Sequence, residues 1–372
     1  MSGIYFHIPF CAKKCTYCDF HFSTNIKNNI LPMTKKMVEE FELRQDEITN
    51  DEIKSIYFGG GTPSLLKKED LNLIFNSLKK TNINSVKELT IEVNPEDINK
   101  ERLALWKAYG INRLSIGIQS IYDEQLKWMN RAHNSSQNEK AIKLAKSFGF
   151  NNISIDLIYG LPKMTIKEWE NQLNTINEWG IQHVSAYCLT IEKKTVLMHY
   201  VKKGIVSLPD EETQIEQFIL LHKKLSAFGF EQYEISNFSK PNYHSIHNSS
   251  YWKKEKYIGI GPSAHSFNGA IRRWNISNNQ KYLKSNLLTK SWYEQEELSN
   301  KDHWNEIILT KLRTQNGIKK SELIRFGEID NEFDFKINNF IELNWLKKQK
   351  DAYKLTLEGK LRADYIASEL FK

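Results

Sequence analysis

Three of the four cysteines, Cys11, Cys15 and Cys18, lie in one C-x3-C-x2-C run, and the fourth is Cys188. Thiolates at such spacing are soft donors for a metal centre. A structural zinc site would need a fourth ligand, for which His7 and His21 are at hand, but the run lacks the paired C-x2-C halves of zinc folds. A [4Fe–4S] cubane held by three cysteines leaves one iron open. If that iron binds the amino and carboxylate groups of S-adenosylmethionine, one electron can cleave a carbon–sulfur bond and release a 5′-deoxyadenosyl radical. A plain iron–sulfur electron carrier or redox sensor is the other use of the same thiols.

Other candidates follow along the chain. Gly59-Gly60-Gly61-Thr62-Pro63 is a glycine-rich turn without the lysine of a P-loop or the spacing of a dinucleotide fingerprint. Glu92, Gln119, Ser120 and Asp156 fall at or near the ends of apolar runs, where unpaired polar groups would be costly. Tyr5 and His7 precede the cysteines at a spacing of two, which puts both on one face of a strand, where both are expected to line a central cavity. His247-Asn248-Ser249-Ser250-Tyr251-Trp252 combines a possible iron ligand with large aromatic surfaces. His244, His247 and His265 show no helical H-x3-H spacing that would make them a triad.

These residues need a scaffold, and the sequence supplies a repeating one. Apolar, β-branched runs at 4–8, 55–58, 88–93, 113–118, 152–158 and 183–189 predict six strands, separated by amphipathic stretches that predict helices. Continuous apolar runs with long crossovers indicate parallel strands covered by helices. A partial (β/α)6 barrel of the TIM type is expected, with a doubly wound open sheet as its competitor. Either places chemistry at the strand C-termini. A helix over 210–229 and a strand over 233–238 lead into a polar, aromatic segment. From residue 302 onward, three short helices, a small β wing and a closing helix suggest a winged-helix-like domain. The expected division is 1–232 for the barrel, 233–295 for an extension and 296–372 for the C-terminal domain. Residues 331–347 carry Glu332, Asp334 and Glu342 beside few lysines, so no nucleic-acid partner is expected.

With 372 residues, 40% of them hydrophobic and 26% charged, and a net charge of +7, the chain is neither disordered, membrane-embedded nor a disulfide scaffold. Its start, MSGIYFHIPFC, does not read as a secretory signal. A reducing cytoplasm is the expected setting, with visits to the inner face of the cytoplasmic membrane left open.

C-x3-C-x2-C after the first strand of a (β/α) series resembles the radical S-adenosylmethionine superfamily. The wider string YFHIPFCAKKCTYCDF is similar to its subgroup of oxygen-independent coproporphyrinogen III oxidases and haem chaperones, and the resemblance runs through almost the whole chain. It implies a [4Fe–4S] cluster on Cys11, Cys15 and Cys18. It also implies S-adenosylmethionine at the turn Gly60, Gly61, Thr62 and at Glu92, Gln119, Arg131 and Asp156, with Asp156 accepting from ribose hydroxyls. Tyr5 and His7 match residues around the oxidase's reaction site. Two departures favour the chaperone branch: the oxidase pattern has a fourth cysteine where this chain has Phe20, and an extension before the cluster motif. The resemblance then implies haem as a further ligand, with His247 a candidate contact. Its partners would be haem-accepting apoproteins, with membrane-bound respiratory proteins as candidates, and an electron donor. Gly259-Ile260-Gly261-Pro262-Ser263-Ala264-His265-Ser266 resembles a family turn whose small residues let backbone approach a ligand. The alternative activity is oxidative decarboxylation of coproporphyrinogen III. Cys188 is expected to be an ordinary strand residue.

Overall fold

The computed structural model describes residues 2–48 and 51–372. Six parallel strands follow one another in space as in sequence: β1 (Ser2–Ile8), β2 (Ile53–Gly60), β3 (Glu88–Val93), β4 (Arg113–Gln119), β5 (Asn152–Tyr159) and β6 (His183–Cys188). The crossovers carry α1 (Ile30–Arg44), α2 (Lys68–Leu78), α3 (Lys100–Ala108), α4 (Asp123–Trp128), α5 (Ser135–Ser147) and α6 (Ile166–Glu178). Their starts are chemically marked. Thr165 accepts from the Glu168 N–H at 3.1 Å while Glu168 accepts from the Thr165 N–H at 2.7 Å, a reciprocal cap that begins α6. This is the expected partial (β/α)6 barrel.

The strands are not apolar on both faces. Ile4, Phe6, Phe58, Ile91, Leu114, Ile116, Ile155 and Val184 point outward and are buried beneath the helices. The alternate positions, Tyr5, Tyr57, Glu92, Arg113, Ser115, Asp156 and Ser185, turn inward and line an open cavity. The period of two is thus a division between a dry helix-facing side and a polar interior, unlike a closed barrel filled with branched aliphatics.

Beyond β6 the chain adds α7 (Val196–Lys202), α8 (Glu211–Ala227), β7 (Glu231–Glu234), β8 (Asn237–Ser239), α9 (Ile246–Trp252), β9 (Lys256–Ile260), β10 (His265–Phe267), β11 (Ile271–Asn275), α10 (Asn279–Lys284) and β12 (Tyr293–Glu297). The 233–295 segment joins the main sheet at both edges. The twelve-stranded order is β12-β11-β10-β9-β1-β2-β3-β4-β5-β6-β8-β7, with β9 parallel to β1 and β8 antiparallel to β6.

The remainder, α11 (Asn300–Leu312), β13 (Ile318–Lys319), α12 (Lys320–Leu323), α13 (Asn331–Glu342), β14 (Leu346–Gln349), β15 (Ala352–Leu355), α14 (Leu357–Lys360) and α15 (Ala363–Glu369), forms a helical unit with a three-stranded wing. Trp304, Ile308, Ile318, Phe340 and Ile366 give it a core of its own, each buried aliphatic side chain worth roughly 1.5–3 kcal/mol. Among the described residues, no helix is long and apolar enough to cross a membrane.

The sequence reading did not anticipate α1. It carries Glu40, buried and fully hydrogen-bonded: Oε1 accepts from Arg44 at 2.7 Å and Asn275 at 2.8 Å, and Oε2 from the Gly261 N–H at 2.9 Å and the Tyr282 hydroxyl. Arg44 also donates to the Gly259 carbonyl and to Ser266 Oγ, both at 2.9 Å. The same network locks the Gly259–Ser266 turn. Its glycines are small because the chain folds tightly on itself and on α1: a Cβ at Gly259 would lie 2.0 Å from the His265 carbonyl oxygen, and one at Gly261 2.7 Å from that of His7.

Candidate active site

A cavity of about 540 Å³ opens at the C-terminal end of the strands, and Cys11, Cys15 and Cys18 all line it. Their loop is fixed from several sides. Cys11 N–H donates to the Ser23 carbonyl at 3.1 Å and Thr16 N–H to that of Met129 at 3.2 Å, while Leu197 at the start of α7 donates to Thr16 at 2.9 Å. Arg131 reaches in from the segment after α4, donating to Cys15 Sγ at 3.4 Å, to Asn94 Oδ1 at 2.7 Å and to the Gly117 carbonyl at 2.9 Å. Gly117 leaves room for it, since a Cβ there would lie 3.0 Å from the guanidinium. Burial pushes the Cys11 thiol up to about 12 and the Cys18 thiol to about 11. These are thiols that a bound cation would have to deprotonate.

The glycine turn closes one wall. Gly60 adopts φ +104°, and a Cβ on it would strike the His7 ring at 2.7 Å. A Cβ on Gly61 would lie 2.6 Å from the Phe10 carbonyl oxygen. Both N–H groups are spent inside the protein, Gly60 on Glu92 Oε2 at 3.1 Å and Gly61 on the Ile8 carbonyl at 2.9 Å. Any backbone group these two glycines offer a ligand is therefore a carbonyl acceptor. Thr62 is buried and hydrogen-bonds Cys11.

Opposite stand two carboxyls. Glu92 accepts from Tyr57 at 2.8 Å and from Gly60, yet burial, with Asp156 adding to it, raises its pKa to about 7. Asp156 lies beside the hydroxyls of Ser185 and Ser115, of which Ser185 donates to Asn237 Oδ1 at 2.7 Å, and burial raises its pKa to about 6. Burial in one poorly solvated cavity raises both carboxyls, and the charge of Asp156 raises Glu92 further. Gln119, which also lines the cavity, is left-handed at φ +64° where β4 bulges against β5. A non-glycine residue held there is strained.

The remaining candidates divide. Tyr5 lines the main cavity and donates to His7 Nδ1 at 3.1 Å, but His7 itself faces a second cavity of about 400 Å³, its Nε2–H donating to the His21 carbonyl at 2.9 Å. The expectation that both line the central cavity thus holds for Tyr5 alone. His21 in turn bonds Asn279 at 2.7 Å. Ser120 turns away to Gln125 at 2.6 Å. Cys188 lines the cavity rim and donates to Gln214 at 3.4 Å, so it is more than a strand filler. His247 is buried in the wall with both ring nitrogens taken, by Ser55 at 2.8 Å and Tyr251 at 2.8 Å, and its ring stacks on Tyr57 at 4.9 Å. Burial lowers its pKa to about 3. Coordination of a metal at His247 would need one of those hydroxyls to leave. Glu88 sets its position by accepting from the N–H groups of Ile246 and His247 at 2.8 and 2.9 Å, which caps α9. Tyr57, Arg113, Ser115 and Ser185 were missed because each sits inside an apolar run, although their alternation with the aliphatics was present in the sequence.

Among the described residues no three Cys, His, Asp or Glu side chains meet closely enough to hold a single metal ion. A cubane asks for something else, thiolates that each take a different iron. Three thiols around one cavity, beside a turn offering acceptors and a wall offering carboxyls, fit a cluster carrying a small ammonium-bearing ligand.

The model of the radical SAM superfamily matches residues 5–176. The chain is 32% identical to the heme chaperone HemW of Bacillus subtilis over 97% of both chains, and 35% identical to that of Buchnera aphidicola subsp. Acyrthosiphon pisum over 96% of this chain and 95% of the other. The heme chaperone HemW of Lactococcus lactis is 33% identical over 85% of this chain and 83% of its own. Among solved structures, coproporphyrinogen III oxidase (HemN) from Escherichia coli superposes with a TM-score of 0.85 over 100% of this chain and 90% of that one, at 20% identity.

Proposed function

We propose, from the premise that this chain belongs to the haem chaperone HemW family of radical SAM proteins, that it binds haem beside an S-adenosylmethionine-ligated [4Fe–4S] cluster and passes the haem to acceptor proteins. The observation that carries this reading is similarity at 30% identity or more along nearly the full length of several haem chaperones. The likeness to the oxidase, at 20% identity, is one of fold. Phe20 supports the same side, because where the oxidase pattern has a further cysteine this chain exposes 66% of a phenylalanine on the cavity rim.

Cys11, Cys15 and Cys18 would hold the cluster, which when bound supplies one-electron chemistry at an open iron. The carbonyls of Gly60 and Gly61 and the carboxyl of Glu92 suit the ammonium of S-adenosylmethionine. An incoming positive charge favours the ionised form of Glu92, whose pKa near 7 lets it switch at little cost. Asp156, a buried carboxyl on the cavity wall, suits a ribose diol. Gln119 and Arg131 close the cavity above them, with Arg131 setting a fixed positive charge beside Cys15. The acceptors, with membrane-bound respiratory proteins as candidates, would be met in the cytoplasm or at the inner face of its membrane, and a separate electron donor would serve the cluster.

Anaerobic titration of the cluster-loaded protein with haem, followed by transfer to a respiratory apoprotein, tests the reading. Haem uptake and transfer are expected. Conversion of coproporphyrinogen III to protoporphyrinogen without haem uptake would overturn it.

A further inference from the structure

The haem-binding reading leaves a placement question, because the walls of the main cavity are already matched to a cluster and its nucleoside ligand. The second cavity, about 400 Å³, lies where β9–β11 and the end of α9 meet α11 of the C-terminal domain. That volume is within the roughly 300–1,000 Å³ of small-molecule sites. Its walls are largely aromatic. Tyr251 meets Tyr257 edge to face at 4.7 Å, Tyr257 lies against Phe267 at 6.5 Å, and Trp252 completes the wall with a buried indole N–H that has no acceptor among the described residues. Aromatic walls of this kind suit a flat, largely apolar ring.

Two cations stand over the same phenylalanine, Lys254 with its Nζ 6.0 Å and Arg272 with its guanidinium 5.7 Å from the centre of the Phe267 ring. Both already grip a carboxylate, since Glu306 of α11 bonds Lys254 at 2.9 Å and Arg272 at 2.6 Å. The two cations mark the edge of the cavity where a carboxylate binds, and a ligand's carboxylates would share them with Glu306. Of the two histidines lining the cavity, His7 has both ring nitrogens engaged. His265 is exposed, and among the described residues neither of its ring nitrogens is hydrogen-bonded; its ring only stacks on Trp274 at 6.3 Å. The close-packed glycines of the Gly259–Ser266 turn, locked by Glu40 and Arg44, fix the backbone that carries His265.

Resting on the haem reading above, we infer that haem occupies this second cavity, with His265 as the iron ligand and Lys254 and Arg272 as partners of its propionates. The site sits between the sheet and α11, whose Glu306 competes with the propionates for the same two cations.

Spectroscopic titration of the full-length protein with ferric haem decides it. The His265→Ala variant should match the parent in melting temperature, lose the imidazole-ligated Soret spectrum and bind haem about tenfold more weakly or worse. Added imidazole should restore the spectrum. Arg272→Gln should weaken binding about threefold to tenfold with the iron spectrum unchanged. A parent-like spectrum and affinity in His265→Ala would overturn the site while leaving haem binding intact. Failure of the parent itself to take up haem would overturn the functional reading and the site together.

Discussion

Two buried carboxyl regions show opposite uses of the same group. At the seam between α1 and the β9–β11 strands, buried Glu40 has four donors on two oxygens. At the mouth of the barrel, Glu92 has Tyr57 and Gly60 as donors, Asp156 lies beside Ser115 and a Ser185 whose proton goes to Asn237, and both carboxyls face open space. A carboxylate can accept about four hydrogen bonds, so the first is filled and the second two are not. A filled network fixes one arrangement of backbone; a part-filled one waits for a partner. Burial alone does not distinguish a structural acid from a functional one; the number of donors left over does.

The largest expected effect lies in the seam. Glu40→Ala leaves Arg44 with Glu47 as its remaining carboxylate and strips the buried Gly261 N–H, Tyr282 hydroxyl and one Asn275 N–H of their acceptor, which should cost about 3 kcal/mol or more in urea unfolding at neutral pH. Iron content per folded molecule after cluster reconstitution should stay at the parental value. A loss below about 1 kcal/mol would mean the seam is not the fastener described here.

Glu92→Gln should move stability the other way. The folded-state pKa of Glu92 is raised from 4.5 to about 7, so the folded protein holds this proton more tightly than the unfolded chain. Below pH 4.5 both states are protonated and nothing is lost; as pH rises toward 7 the unfolded chain ionises first and stability falls. The full cost is at most ~3 kcal/mol, reduced because one side of the residue faces the cavity. Asp156 adds a loss of the same sign between 3.8 and about 6. The ligand-free Gln variant should therefore be more stable than the parent at pH 8 and indistinguishable near pH 4, while binding S-adenosylmethionine about tenfold more weakly. Equal pH slopes for the two proteins would show that Glu92 is as well satisfied as Glu40.

The contrast also explains what could be read beforehand. The cysteine run, the glycine turn and the six strands are local patterns, each completed within a few residues, and they fell where expected. The seam is not local: Glu40 meets Gly261, Asn275 and Tyr282, more than two hundred residues away, and nothing in the stretch around Glu40 announces them. His7 was misplaced for a related reason. Alternation set its face correctly, but the choice between two cavities on that face depends on β9, which returns to lie beside β1 only after seven further strands. Tyr57 and Arg113 were hidden by aliphatic neighbours whose side chains point the opposite way.

Gly61→Ala probes the wall between the two regions. A Cβ there meets two fixed carbonyl oxygens, at 2.6 and 2.8 Å, so backbone must shift. A loss of about 1–3 kcal/mol is expected, with cluster incorporation reduced because Phe10 leads directly into Cys11. Full retention of both would mean that the turn is looser than its contacts.

The smallest effect should come from Gln119, where stability and binding part most cleanly. Its left-handed backbone, φ +64°, costs a non-glycine residue roughly 1–2 kcal/mol, whereas glycine adopts it freely but loses about 0.5–1 kcal/mol more entropy on folding. Gln119→Gly should therefore leave the ligand-free protein within about 1 kcal/mol of the parent, on the stable side. The same change removes a side chain from the cavity wall, so S-adenosylmethionine affinity should fall severalfold although the fold is relieved of strain. In the seam every substitution that removes a polar group should destabilise; at the cavity mouth the loss of a polar side chain should relax the protein and harm only what it binds. A Gln119→Gly protein that unfolded more readily than the parent, with affinity unchanged, would place this residue with Glu40 and break the distinction.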